Sequence, residues 1–172
     1  MTLFLVGYMG SGKSVIGQKL AEVLNYDFID FDAFIESKEE STISNIFDAK
    51  GEIYFRKAEH KYLDDVLATS HTVVSLGGGT PCYGNNMAKL LDANNAQTIY
   101  LKALIPSLSN RLFSEKAQRP LIAHITSKDN LNEFIGKHLF ERAPFYEQAH
   151  ITIKTDAKDV DEVVEELIAQ LF

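Results

Sequence analysis

Residues 7–14 read Gly-Tyr-Met-Gly-Ser-Gly-Lys-Ser, an uninterrupted G-x-x-x-x-G-K-[ST]. The pattern suits a backbone that wraps around an anion. Its glycines permit tight, partly left-handed turns that aim successive N–H groups inward, and a helix starting near Lys13 adds its positive dipole end. Lys13 then supplies a point charge at the β- and γ-phosphates of a nucleotide, and the Ser14 hydroxyl is a Mg²⁺ ligand. Gly10, Ser11, Gly12, Lys13, Ser14 and Val15 are the expected nucleotide contacts. The loop lies between a predicted strand and an amphipathic helix, where a chance glycine turn beside a surface lysine would seldom fall.

Two further clusters offer chemistry. Asp30 and Asp32 follow a short apolar run; two apart in a strand, they would project to the same side at its C-terminal end, one serving Mg²⁺ and the other accepting a proton. The competing explanation is helix capping, with Asp32 as the N-cap of the segment that follows. Gly77-Gly78-Gly79 follows another apolar run. Three successive glycines are costly in backbone entropy and mark a place where main chain approaches a ligand closely, the alternative being a bare tight turn. Ser75 stands near the position where many nucleotide-binding strands carry an acid. Arg56, Arg119 and Arg142 each sit beside apolar or structure-breaking residues, and a planar guanidinium binds carboxylate or phosphate bidentately. Taken singly, each could equally be a solvated surface arginine.

The elements that must position these groups are legible as alternating patterns. Apolar runs rich in β-branched and aromatic residues at Thr2 to Val6, Tyr26 to Ile29, Thr72 to Leu76, Thr98 to Leu101 and Ile151 to Ile153 predict five buried strands. Val15, Ile16, Leu20, Val23 and Leu24 share one helical face, as do Val160, Val163, Val164, Leu167, Ile168 and Leu171. Strands alternating with helices imply an α/β fold with a mainly parallel sheet. Between Ile35 and Leu67 two or three helical segments occur with no strand, broken at Gly51, as expected of an inserted helical subdomain. Phe113 to Gln118 carries little apolar periodicity and is expected to be a mobile loop. Ser127 is placed to cap a helix running to about Arg142, with Pro144 just past its end.

The 172 residues suit a single domain spanning 1–172. With 17 Lys and Arg against 24 Asp and Glu, the net charge is −7, and no basic run supplies the footprint of nucleic-acid binding. No apolar stretch approaches the roughly 20 residues that span a bilayer. The single Cys82 and the lack of a basic, apolar leader point to a cytoplasmic protein without disulfides.

Taken together, Gly-x-Met-Gly-Ser-Gly-Lys-Ser at 7–14, Asp-x-Asp at 30 and 32, Phe55-Arg56 with Glu59, Ser-Leu-Gly-Gly-Gly at 75–79, Arg-Pro-Leu at 119–121 and Arg-Ala-Pro-x-Tyr at 142–146 closely resemble shikimate kinase. The match runs through nearly the whole chain in order. The resemblance implies a nucleoside-monophosphate-kinase-like fold: five parallel strands flanked by helices, a substrate-binding helical insertion at about 33–69 and a lid at about 112–124. It implies ATP as co-substrate, one Mg²⁺, shikimate as acceptor and a monomer. Lys13, Asp32 and Arg119 would be catalytic, Asp32 orienting or deprotonating the 3-hydroxyl and Arg119 descending with the lid. Arg56 and Arg142 would clamp the substrate carboxylate, with Gly77, Gly78 and Gly79 lining the acceptor. Ser14 and Asp30, with Ser75 through water, would hold Mg²⁺. Arg111 is offered as an adenine-stacking residue, and the loop at 155–158 falls where relatives contact adenine. A gluconate or nucleotide kinase of the same fold is the nearest rival, and a catalytically silent nucleotide-binding module the rival from another class.

Overall fold

A computed structural model describes residues 1–172. Five strands, β1 (Thr2–Val6), β2 (Asp27–Asp30), β3 (Thr72–Ser75), β4 (Ala96–Lys102) and β5 (Ile151–Lys154), pair in the order β2-β3-β1-β4-β5. Every pairing is parallel. All five residues of β1 are buried, as are all four of β3, because helices cover both faces of the sheet. Alternation divides them: Phe4, Val6 and Val74 face one core, and Leu3, Leu5 and Val73 the other.

The second core is closed by α1 (Lys13–Leu24) and α7 (Val160–Leu171). A capping box at Asp159 and Glu162 starts α7, satisfying two of its otherwise unpaired N–H groups. The first core is closed by α2 (Phe31–Glu39), α3 (Ile43–Leu67), α4 (Asn86–Asp92), α5 (Ile105–Glu115) and α6 (Lys128–Tyr146). β1 lies between β3 and β4, and the chain leaves it first toward one edge of the sheet and later toward the other. Parallel sheets bind ligands beyond the carboxyl ends of strands at such a switch point. The phosphate loop and the triple glycine follow the ends of β1 and β3 there, and Asp30 is the last residue of the neighbouring β2.

Several expectations are corrected. Val15 and Val23 are 58% and 51% exposed, and the buried face of α1 is Ile16, Gly17, Leu20 and Ala21. Gly17 is needed there, because a Cβ would come within 2.7 Å of the Phe28 ring. Residues 113–118 are not an open loop: α5 runs through Glu115 and a 3₁₀ turn covers Lys116–Gln118. Buried Ile122 and Ile125 anchor the chain beyond, and Lys116 Nζ donates to the Ile125 carbonyl at 2.7 Å. Ser127 does cap α6, accepting from the Asn130 N–H at 3.2 Å, but the helix continues through Pro144 to Tyr146. Proline removes the N–H that would meet the Phe140 carbonyl. Phe140 itself lies on the outer, solvent-facing side of the helix, 83% exposed. Gly51, at φ 84 and ψ 170, interrupts the long helical stretch of α3 where the sequence places a break. No helix is long and apolar enough to cross a membrane.

Candidate active site

A cleft of about 600 Å³ opens at the carboxyl end of the sheet. Gly10 to Ile16, Asp30, Asp32, Ser75, Gly77, Gly78, Arg111 and Arg119 line it. Gly10 and Gly12 have φ of +79 and +92, the left-handed region that glycine enters without strain, and these turns carry the chain from β1 into α1. Lys13 folds back over the loop, its Nζ donating to the carbonyls of Gly7 at 2.8 Å and Tyr8 at 3.1 Å. Burial lowers its pKa to about 8 against the opposing pull of Asp32, while Arg119 and Arg142 push it further down.

The acidic pair is arranged differently from a strand edge. Asp30 ends β2 and is itself the N-cap of α2, its Oδ1 accepting from the Ala33 N–H at 3.1 Å. Its other oxygen accepts from Ser14 Oγ at 3.3 Å. Asp32 lies in the first turn of α2, so neither the shared strand face nor the Asp32 cap holds. Both acids nevertheless reach the cleft, since the helix begins where the strand ends. Burial raises the Asp32 pKa from 3.8 to about 6, helped by the negative charges of Asp30 and Glu59 and opposed by Lys13.

Arg56 and Arg142 converge on the triple glycine. A Cβ on Gly79 would sit 2.7 Å from Arg56 Nη1, and one on Gly78 would sit 3.1 Å from Arg142 Nη1, so the absent side chains let two guanidinium groups lie against the loop. A Cβ on Gly77 would meet Asp32 Oδ1 at 2.8 Å. Arg56 is fixed by Glu59, whose Oε1 accepts from Nη1 at 2.9 Å and whose Oε2 accepts from Thr80 Oγ1 at 2.6 Å. The guanidinium also stacks over Tyr83 at 3.9 Å. Arg119 reaches the cleft from the turn after α5 while bonded to Glu115 at 2.9 Å. Arg111 donates to the Gly10 carbonyl at 3.1 Å and lines the cleft together with Thr155, Lys158, Asp159 and Val160.

The shikimate kinase family model matches residues 9–172. The chain belongs to the shikimate kinase family. A shikimate kinase from Flavobacterium johnsoniae is 42% identical over 167 residues, covering 96% of each chain. The solved shikimate kinase from Bacteroides thetaiotaomicron superposes with a TM-score of 0.91 at 35% identity, covering 99% of this chain and 98% of its own. The enzyme from Acinetobacter baumannii, solved in complex with shikimate, gives 0.87 at 30% identity, covering 99% of this chain and 92% of its own. This chain is accordingly an ATP-dependent kinase with the five-stranded parallel fold of that family.

Within this shikimate kinase scaffold, Gly10 to Val15, Asp30, Asp32, Gly77, Gly78, Arg111 and Arg119 share one cleft. Arg56 lines a neighbouring cavity with His60 and Tyr83 and reaches the loop through Gly79, and Arg142 reaches it through Gly78. Sequence reasoning assigned no role to Thr80, Glu115, His138 or Tyr8. Tyr8 Oη and His138 Nδ1 lie 2.9 Å apart, tying the phosphate loop to α6, and burial drives the Tyr8 phenol far above its ordinary pKa. The spacing of His138, Arg142 and Tyr146, four residues apart, was a readable signal that all three share a face of α6.

Proposed function

We propose that this cleft transfers the γ-phosphoryl group of ATP to the 3-hydroxyl of shikimate, giving shikimate 3-phosphate and ADP on the route to chorismate and the aromatic amino acids. The observation that carries this reading is the convergence of two arginine forks and one ionisable carboxylate on a side-chain-free loop beside the phosphate loop. A carboxylate-bearing polyol fits such a pocket: Arg56 and Arg142 take the carboxylate, and the N–H groups of Gly78 and Gly79 and Asp32 take hydroxyls.

In the transfer, the acceptor oxygen forms a bond to the γ-phosphorus as the bond to the bridging oxygen of ADP breaks, and the hydroxyl proton passes to Asp32. A pKa of about 6 leaves Asp32 largely ionised at neutral pH yet more basic than an ordinary carboxylate. Lys13 and Arg119 stabilise charge on the transferring group and the leaving oxygen. Arg119 must leave Glu115 to do so, and both partners are substantially exposed, so that exchange is inexpensive. Ser14 and Asp30 would hold Mg²⁺. Their oxygens fit a cation that keeps most of its shell for water and phosphate and needs only one or two protein ligands. The bound ion supplies neutralisation of β- and γ-phosphate charge. Residues 112–124 act as the lid over ATP, residues 33–69 as the substrate-binding insertion, and Arg111 packs on adenine. The reading keeps a monomer in the cytoplasm, where the lone Cys82 has no intramolecular partner for a disulfide.

An ADP-release assay across shikimate, gluconate, nucleoside monophosphates and no acceptor tests the assignment. Turnover with shikimate alone is expected; equal or faster turnover with gluconate or a nucleotide would overturn it.

A further inference from the structure

Tyr146 is fully buried, yet its hydroxyl is not idle, since it donates to the carbonyl of Gly78 at 2.5 Å. The donor sits one helical turn after Arg142, whose guanidinium also lies against Gly78 and neighbours the phenol closely enough to oppose the burial that drives its pKa upward. Gly78 has no side chain with which to hold its own orientation, and a Cβ there would crowd the arginine. The peptide that joins Gly78 to Gly79 is therefore oriented chiefly from outside, its carbonyl meeting only a long, weak contact from Cys82 Sγ at 3.9 Å within the following turn. When its carbonyl is pinned toward Tyr146, the N–H of Gly79, on the opposite side of the same peptide plane, is directed away from α6. The ring itself is seated against Tyr100, with centroids 5.3 Å apart, so the hydroxyl has little freedom to follow a wandering loop.

We infer that Tyr146 is a positioning residue for the acceptor: its hydroxyl fixes the Gly78–Gly79 peptide so that the triple-glycine loop and the Arg142 fork are held in register on one rigid helix. The inference rests on the acceptor site described above. Shikimate then meets a preformed donor array, whereas ATP, bound at the phosphate loop, is indifferent to the hydroxyl. The bond is not needed to fill space, because phenylalanine would preserve the ring and its contacts.

The test is Tyr146→Phe in the full chain, with Tyr100→Phe as a control that removes a neighbouring buried hydroxyl making no loop contact. Kd for shikimate and for ATP is measured separately by calorimetry, with the thermal midpoint alongside. The expected result for Y146F is shikimate binding weakened about three- to tenfold, the scale of one lost hydrogen bond. ATP binding should follow wild type, the thermal midpoint should fall by no more than the few degrees that one lost buried hydrogen bond costs, and Y100F should bind both ligands normally. Unchanged shikimate affinity in Y146F would overturn the inference, as would parallel weakening of both ligands with a lowered midpoint, which marks a merely structural role. A second readout needs no ligand: ¹⁵N relaxation should show Gly78 and Gly79 more mobile in Y146F while Gly10 and Gly12 are unaffected, and unaltered order at Gly78 and Gly79 would refute it. Wild-type protein that fails to bind shikimate would instead overturn the substrate assignment, leaving the relaxation result to decide the role of the hydroxyl.

Discussion

Replacing Asp32 with Asn should make the protein more stable and nearly inactive, and the stability gain should depend on pH. The carboxyl is held among Asp30, Glu59 and Glu36 with only Lys13 opposing them, and burial adds the largest contribution, so its pKa rises from 3.8 to about 6 on folding. Such a group favours the folded state when protonated: that stability is fully present below pH 3.8 and is lost as pH rises through about 6. At 1.36 kcal/mol per tenfold, the full loss is about 3 kcal/mol, an upper value because the cleft admits water. Asn cannot ionise and escapes it. Urea denaturation should therefore find D32N more stable by about 1–3 kcal/mol at pH 7.5, with the difference mostly gone at pH 4. In the ADP-release assay at pH 7.5, kcat should fall by about 10²–10⁴, the worth of a positioned general base, while ATP affinity is retained. Wild-type kcat/KM for shikimate should itself decline as pH drops through about 6. Turnover near wild type would remove Asp32 from proton transfer, and a gain absent at pH 7.5, or equal at both pH values, would refute the desolvated-carboxylate argument.

Arg119→Ala should lower kcat by about 10²–10³. Its thermal midpoint should barely move, because the pair it forms with Glu115 is exposed on both sides; a kcat within twofold of wild type would exclude Arg119 from the transition state. Gly79 has φ −87, a backbone angle any residue adopts, so Gly79→Ala acts only through the Cβ it drives toward Arg56 Nη1. Shikimate KM should rise about tenfold or more with ATP KM unchanged, the cost of overpacking at a close approach, and an unaltered shikimate KM would contradict the arginine geometry. Asp30→Asn separates two roles of one side chain. Asn caps helices as well as Asp, so the midpoint should hold, while the Mg²⁺ concentration for half-maximal activity should rise about tenfold, the cost of a lost charge-assisted contact; unchanged Mg²⁺ dependence would leave Asp30 as a cap alone.

The architecture and the candidate chemistry were both legible in local spacing. The phosphate loop, the five apolar runs and the ordered set of aspartates, glycines and arginines are written in local spacing, and local spacing is what decides whether a segment is strand, helix or anion-binding turn. Lys13, Ser14 and Arg119 could be named as candidates because their residue types carry that chemistry wherever the backbone turns. How distant segments meet was set by packing. It moved Asp32 from a strand edge into the first turn of α2 and made Asp30 the cap, because β2 ends at Asp30 and cannot hold both. Apolar periodicity put Val15 and Val23 inside, whereas the mouth of the cleft and the rim of α1 leave them in water. Pro144 marked an expected end for α6, yet the helix carries it as far as Tyr146. Glu59 with Thr80, Tyr8 with His138 and Tyr146 with Gly78 are separated by 21, 130 and 68 residues. No periodicity encodes such pairs. They exist because the parallel sheet brings the ends of β1 and β3 together and α6 lies across both, where buried polar groups must find partners wherever the fold supplies them.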